Sequence, residues 1–159
     1  MGVGKGLLFP ALLGALAWSV PQQQQEKLPD GPGKQTFAEV CSLCHSTSLA
    51  MGKQFTRQEW ENKITEMLQE EPDVTREERA AILEYVSATF KPGGKIYINR
   101  AVAKDLQALL GITEREAEAI VGLRTTQGDF KSFDDLKKVS GLDVSKIGSL
   151  KDRLDFLTH

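Results

Sequence analysis

Apolar positions three and four apart recur in several stretches of this 159-residue chain, and nothing reads as a sheet of any size. Gln35 to Val40 predicts a short helix with Phe37 and Val40 on one face. Thr56, with Glu59 three residues on, has the form of a capping box, and Trp60, Ile64, Met67 and Leu68 extend it as one stripe to about Gln69. Thr75 with Glu78 opens a third helix through Ala80, Ile82, Leu83, Tyr85, Val86 and Phe90. Lys91-Pro92-Gly93-Gly94 stops it and predicts a domain boundary.

Beyond that boundary Ile96-Tyr97-Ile98 alternates into Asn99, the expected N-cap of a helix from Arg100 to Leu110. A near-repeat follows. Leu110-Gly111-Ile112-Thr113 and a helix with Ala117, Ile120, Val121 and Leu123 are echoed by Ser140-Gly141-Leu142-Asp143 and an expected helix with Ile147, Leu150 and Leu154. Each unit reads as helix, tight glycine turn, helix. Phe130 and Phe133 lie in the connection.

The N-terminal pattern differs. A single Lys5 precedes the apolar run from Gly6 to Ala17, and Ala15-Leu16-Ala17 supplies a small-x-small cleavage pattern. Residues 1–17 are therefore expected to be a signal peptide, with an uncleaved anchor as the alternative, and no span is expected in the mature chain. Either reading exports the remainder to a periplasmic or secreted location. Residues 18–33, rich in Gln, Pro and Gly, are expected to be a flexible linker.

Composition adds limits. A net charge of -2 gives no global pull toward nucleic acid or an acidic membrane. The two cysteines both sit in Cys41-Ser-Leu-Cys44-His45, so a disulfide framework is excluded. Two thiols two residues apart with an imidazole just beyond are the specification for covalent haem c: Cys41 and Cys44 as thioethers, His45 on the iron. Its second ring nitrogen would donate to a backbone carbonyl. A thioredoxin-type pair lacks its strand-helix-strand context, and a zinc site would lack ligands, since the other histidine is His159. The distal ligand is expected to be Met67, with Met51 or an open position as alternatives.

Residues 36–90 resemble the small class I cytochrome c domains that serve periplasmic dehydrogenases, through Cys41-x-x-Cys44-His45, Arg57-x-x-Trp60-x-x-x-Ile64-x-x-Met67 and Glu78-x-x-x-Ile82-x-x-Tyr85-Val86-x-x-x-Phe90. The resemblance implies that Met67 is the distal ligand and that Trp60 and Tyr85 pack near the haem. Residues 95–157 resemble the tandem helix-hairpin-helix domain of competence proteins that bind DNA during uptake, and of extrinsic photosystem proteins that dock on other proteins. The matching stretches are Lys95-Ile-Tyr-Ile-Asn99-x-Ala101, Leu106-x-x-Leu109-x-Gly111-Ile112, Phe130-Lys-Ser-Phe133-x-Asp135-Leu136 and Val139-Ser-Gly141-Leu142.

A DNA-binding hairpin offers backbone N–H groups to phosphate from a Gly-hydrophobic-Gly turn. Here Thr113 and Asp143 replace the second glycine, and Glu114, Glu116 and Glu118 follow the first turn. From Ile96 onward ten basic residues meet ten acidic ones. Lys137, Lys138, Lys146, Lys151 and Arg153 are the candidates for a basic face. The expectation is an all-α chain, with a cytochrome c domain over 34–92 and a tandem helix-hairpin-helix domain over 95–159. Its expected role is one-electron transfer, non-enzymatic, with the second domain docking a redox partner protein. The alternative is a DNA-uptake protein with an accessory haem domain.

Overall fold

The computed structural model describes residues 1–2 and 27–158. The expected signal peptide, apart from its first two residues, the first part of the expected linker and His159 lie outside the described residues. No helix among the described residues is long and apolar enough to cross a membrane.

Two small helical units make the fold. In the first, α1 (Lys34–Cys41), α2 (Ser48–Met51), α3 (Arg57–Met67) and α4 (Arg76–Thr89) surround a core that includes Phe37, Trp60, Ile82, Tyr85 and Phe90. The α3 and α4 starts are full capping boxes. Thr56 and Thr75 accept the N–H of Glu59 and Glu78 and are bonded in return by those carboxylates. The aromatic rings meet at tilted and edge-on angles, with Tyr85 against Phe90 at 5.8 Å and 88°. Burying each such ring stabilises the unit by about 1.5–3 kcal/mol.

The expected flexible linker is corrected where it is described. Leu28 is buried, and Tyr85 Oη donates to the Pro29 carbonyl at 2.8 Å. Gly33, at φ 83°, sits so close to α4 that an added Cβ would stand 2.3 Å from the Ala81 carbonyl oxygen. Apolar burial and a backbone contact hold what composition alone marked as loose.

The second unit contains β1 (Ile96–Tyr97), α5 (Ala103–Leu110), α6 (Glu114–Gln127), the short α7 (Phe133–Leu136), a 3-10 helix (Gly148–Arg153) and β2 (Leu154–Asp155). Its core gathers Ile96, Ile98, Leu106, Ile120, Leu136 and Ile147. Two expectations are corrected here. Asn99 does not cap a helix: α5 begins at Ala103, and the Asn99 amide is buried, accepting from Phe130 N–H at 2.9 Å and donating to the Phe130 carbonyl at 2.8 Å. The helix expected after the second hairpin is a 3-10 helix, because the chain must straighten within six residues to pair Leu154 and Asp155 in parallel with Ile96 and Tyr97.

The units share a seam. Tyr97 belongs to the first core, and Leu157 packs on it. Lys53 pairs with Asp105 of α5 at 2.7 and 2.8 Å. Gln54 donates to the carbonyls of Gly94 and Lys95 and accepts from Gly93 N–H and the Arg153 guanidinium.

Candidate functional site

The two glycine turns lie side by side. Gly111, at φ 66°, ends α5, and Thr113 caps α6. Gly141, at φ 82°, makes the equivalent bend in the second turn. Both glycines adopt the left-handed conformation that other residues resist. At the first turn Thr113 N–H donates to Glu116 Oε2 at 2.8 Å, and Glu116 N–H donates to the Thr113 hydroxyl at 3.3 Å. Of the first-turn donors of α6, those of Glu114 and Arg115 lie outside this box.

At the second turn Asp143 folds its carboxylate onto its own loop, accepting from Ser145 N–H at 3.1 Å and Ser145 Oγ at 2.6 Å. The Ser145 hydroxyl, then its N–H, holds that carboxyl below its ordinary value. Asp143 N–H donates to Glu116 Oε1 at 3.2 Å, and Lys146 Nζ reaches the same oxygen at 3.3 Å. Glu116 is thus the one buried carboxylate among the described residues. The Thr113 N–H and hydroxyl, followed by Asp143 N–H, bring its pKa down to about 2. In the sequence it is one of three acids that follow the first turn; in the structure it is buried between the two turns.

The residues expected to form a basic face are engaged within the chain. Lys137 pairs with Asp134 and Lys138 with Asp135, each at 2.6 Å. Lys146 pairs with Glu116, and Arg153 binds the Gly94 carbonyl and Gln54. Lys151 lies over the Phe133 ring at 5.5 Å. The exposed pairs are worth little, about 0–1 kcal/mol each. They still cut the net field that a polyanion would meet.

In the first unit α1 delivers Cys41 at its last turn, and the turn that follows carries Cys44 and His45. Both cysteines are free thiols; burial, then the neighbouring Cys44, raises Cys41 to about 11. His45 Nδ1 bonds the Ser46 carbonyl at 3.0 Å. A carbonyl only accepts, so Nδ1 is the donor in this bond. Beside this turn lies an apolar cleft with two lobes of about 170 and 350 Å³. Cys41, His45, Ile64, Met67 and Ile82 line both lobes, while Cys44 lines the smaller one. Met51 is buried elsewhere in the core and lines neither lobe. Arg79 shapes one wall by donating to the carbonyls of Leu68, Glu71 and Val74. Leu43, Leu49 and Met67, all exposed, stand at its walls.

Sequence reasoning missed Glu116 as a bridge between turns, Asn99 as a clamp and the Lys53–Asp105 link. The Thr113-x-x-Glu116 pattern was a capping-box signal available in the sequence. The bridge to Asp143 was not, since it joins positions 27 residues apart.

Residues 91–155 match the family model of the helix-hairpin-helix motif. Over 59 residues, 37% of the chain, the sequence is 34% identical to ComE operon protein 1 of Bacillus subtilis, covering 29% of that protein. Over 61 residues, 38% of the chain, it is 41% identical to endonuclease/exonuclease/phosphatase family domain-containing protein 1 of Danio rerio, covering 10% of it. Over 63 residues, 39% of the chain, it is 36% identical to an uncharacterized protein of Haemophilus influenzae, covering 56% of it. The chain therefore spans less than two thirds of each of these relatives. No solved structure matches it.

These findings correct the expectation that the molecule is, as a whole, a cytochrome defined by metal binding and electron transfer. The similarity falls on the other unit, and among the described residues no group of three or more His, Cys, Asp or Glu is arranged to hold a metal ion. The C-terminal unit carries a helix-hairpin-helix motif within a mostly helical fold.

Proposed function

We propose that this chain is a competence-like DNA-binding protein whose helix-hairpin-helix unit contacts the phosphate backbone. The observation that carries this reading is the family match over residues 91–155, which includes both glycine turns. The likeness to ComE operon protein 1 supports it. On this reading the chain is a binding module, not an enzyme, and works outside the cytoplasm, where the N-terminal segment would direct it. Contacts to phosphate position a protein on DNA without reading sequence. The internal pairing of its lysines makes the grip weak.

Fluorescence anisotropy of the whole protein with a labelled duplex tests the reading. With about three phosphates neutralised, affinity should fall by about 40-fold between 50 and 200 mM salt. No binding at 50 mM salt, or binding indifferent to salt, overturns it.

A narrower reading concerns the cleft of the first unit and a bound group there. The apolar lining, two thiols at one end, and an imidazole and a thioether on the same cavity fit a covalent haem. We propose that Cys41 and Cys44 would hold it through thioethers, and that His45 and Met67 would ligate its iron. When bound, such a group supplies a redox-active iron. The chain's own part is to exclude water with Ile64 and Ile82 and to fix the His45 ring through the Ser46 carbonyl. Protein made alongside cytochrome maturation machinery should keep haem through a denaturing gel, and Cys41→Ala with Cys44→Ala should lose it. A colourless wild type removes this reading and leaves the DNA reading untouched.

A further inference from the structure

The two glycine turns present equivalent backbone amides, Thr113 N–H after Gly111-Ile112 and Asp143 N–H after Gly141-Leu142. One side chain takes both. Glu116 Oε2 accepts from Thr113 N–H at 2.8 Å, and Oε1 accepts from Asp143 N–H at 3.2 Å. Lys146 completes the arrangement with its ammonium 3.3 Å from Oε1. The Glu116 side chain is 8% exposed, so this carboxylate is held between the turns, away from solvent. An anion bridged by two turn amides and an ammonium has the coordination a phosphate oxygen would take from a hairpin.

We propose that Glu116 is an internal stand-in for a nucleic-acid phosphate, and that it sets the affinity of the unit by occupying the amides and the lysine a DNA backbone would use. This inference rests on the DNA reading above and deepens it. An approaching phosphate meets a filled second cradle. It would have to displace a carboxylate held by charge-assisted bonds, and like charge opposes it until it does. Asp143 adds to the closure, since its own carboxylate is folded onto Ser145 at the same turn. In the native protein phosphate contact is then left to side chains and to the first-turn donors of α6 outside the capping box. The unit holds DNA loosely by construction of its own sequence.

The test is a double-mutant cycle on the whole protein, read by anisotropy with a labelled duplex over a range of salt. Glu116→Gln keeps a capping-box residue at that position but has one acceptor oxygen where Glu has two, so it cannot serve both amides. It also releases Lys146. The expected result is tighter binding, about 5-fold or more at 100 mM salt, with a salt slope steeper by about 1 for one added phosphate contact. Lys146→Gln alone should leave DNA affinity unchanged, because its ammonium is already engaged. In the Glu116→Gln background Lys146→Gln should remove most of the gain.

If Glu116→Gln folds by circular dichroism and binds no better than a binding wild type, the inference is overturned. If it does not fold, Lys146→Gln decides: unchanged affinity upholds the engaged lysine, and a loss overturns it. Binding by Glu116→Gln with none by wild type upholds the stand-in while sinking DNA binding by the native protein. Binding by neither overturns both.

Discussion

Asn99 clamps two distant stretches of backbone with one amide, bonding both the N–H and the carbonyl of Phe130. Asn99→Ala leaves those groups buried and unpaired, at about 1–3 kcal/mol for each. The midpoint of urea unfolding should fall accordingly, and an unchanged midpoint would deny the clamp its role. Glu116 makes a pH-dependent contribution. Its folded-state pKa lies at about 2, below the ordinary 4.5, so its contribution is complete above about 4.5 and is lost as pH falls through about 2. The groups facing it are Thr113, Asp143 and Lys146, and Asp143 is itself lowered by Ser145. Thermal melts should show wild type above Glu116→Gln at pH 6, with the gap closing between pH 4.5 and pH 2. A gap that is constant across this range would place the carboxylate in solvent.

At the scale of elements, turns govern more than helices do. Gly111 has a positive φ with open space around it, so Gly111→Ala meets only the backbone strain of about 1–2 kcal/mol. Gly33 has the same sign of φ and a carbonyl 2.3 Å from any added Cβ, so Gly33→Ala should lower the melting temperature further than Gly111→Ala. The reverse order would mean that the segment before α1 is not seated on α4. Capping boxes at Thr56 and Thr75 were legible because their partners lie three residues away. The 3-10 helix was not. Its apolar spacing suits a helix of either kind, and the pairing of Leu154 with Ile96, 58 positions apart, decides which one forms.

Across the whole molecule, the two units meet on a polar seam with Gln54 at its centre. Gln54 makes four bonds to the turn after α4 and to Arg153, so Gln54→Ala should raise amide exchange at Gly93, whose N–H it accepts, without changing protection in α5 and α6. Unchanged exchange at Gly93 would assign the seam to Tyr97, Leu157 and the Lys53–Asp105 pair. Lys53 lines the larger lobe of the cleft and pairs with Asp105 of α5, so the cleft wall and the hairpin unit are joined directly. Gly52 packs against this pair: an added Cβ would lie 2.5 Å from Asp105 Oδ2, so a side chain there would require the carboxylate to shift.

Local chemistry lay open in the sequence. Helix starts at Thr56 and Thr75, the break at Pro92-Gly93-Gly94, the two glycine turns and the Cys41-Ser-Leu-Cys44-His45 motif all depend on neighbours within a few positions. A capping residue or a turn glycine carries its physical cause with it. Tertiary structure decided what needed two distant segments at once. It placed His45 and Met67 on one cleft and left Met51 in the core. It turned Asn99 from a helix cap into a clamp, and it buried Glu116 between turns that the sequence shows only as repeats. A charge counted along a chain has no depth, and only packing supplies the depth that makes one glutamate a solvated acid and another an internal anion.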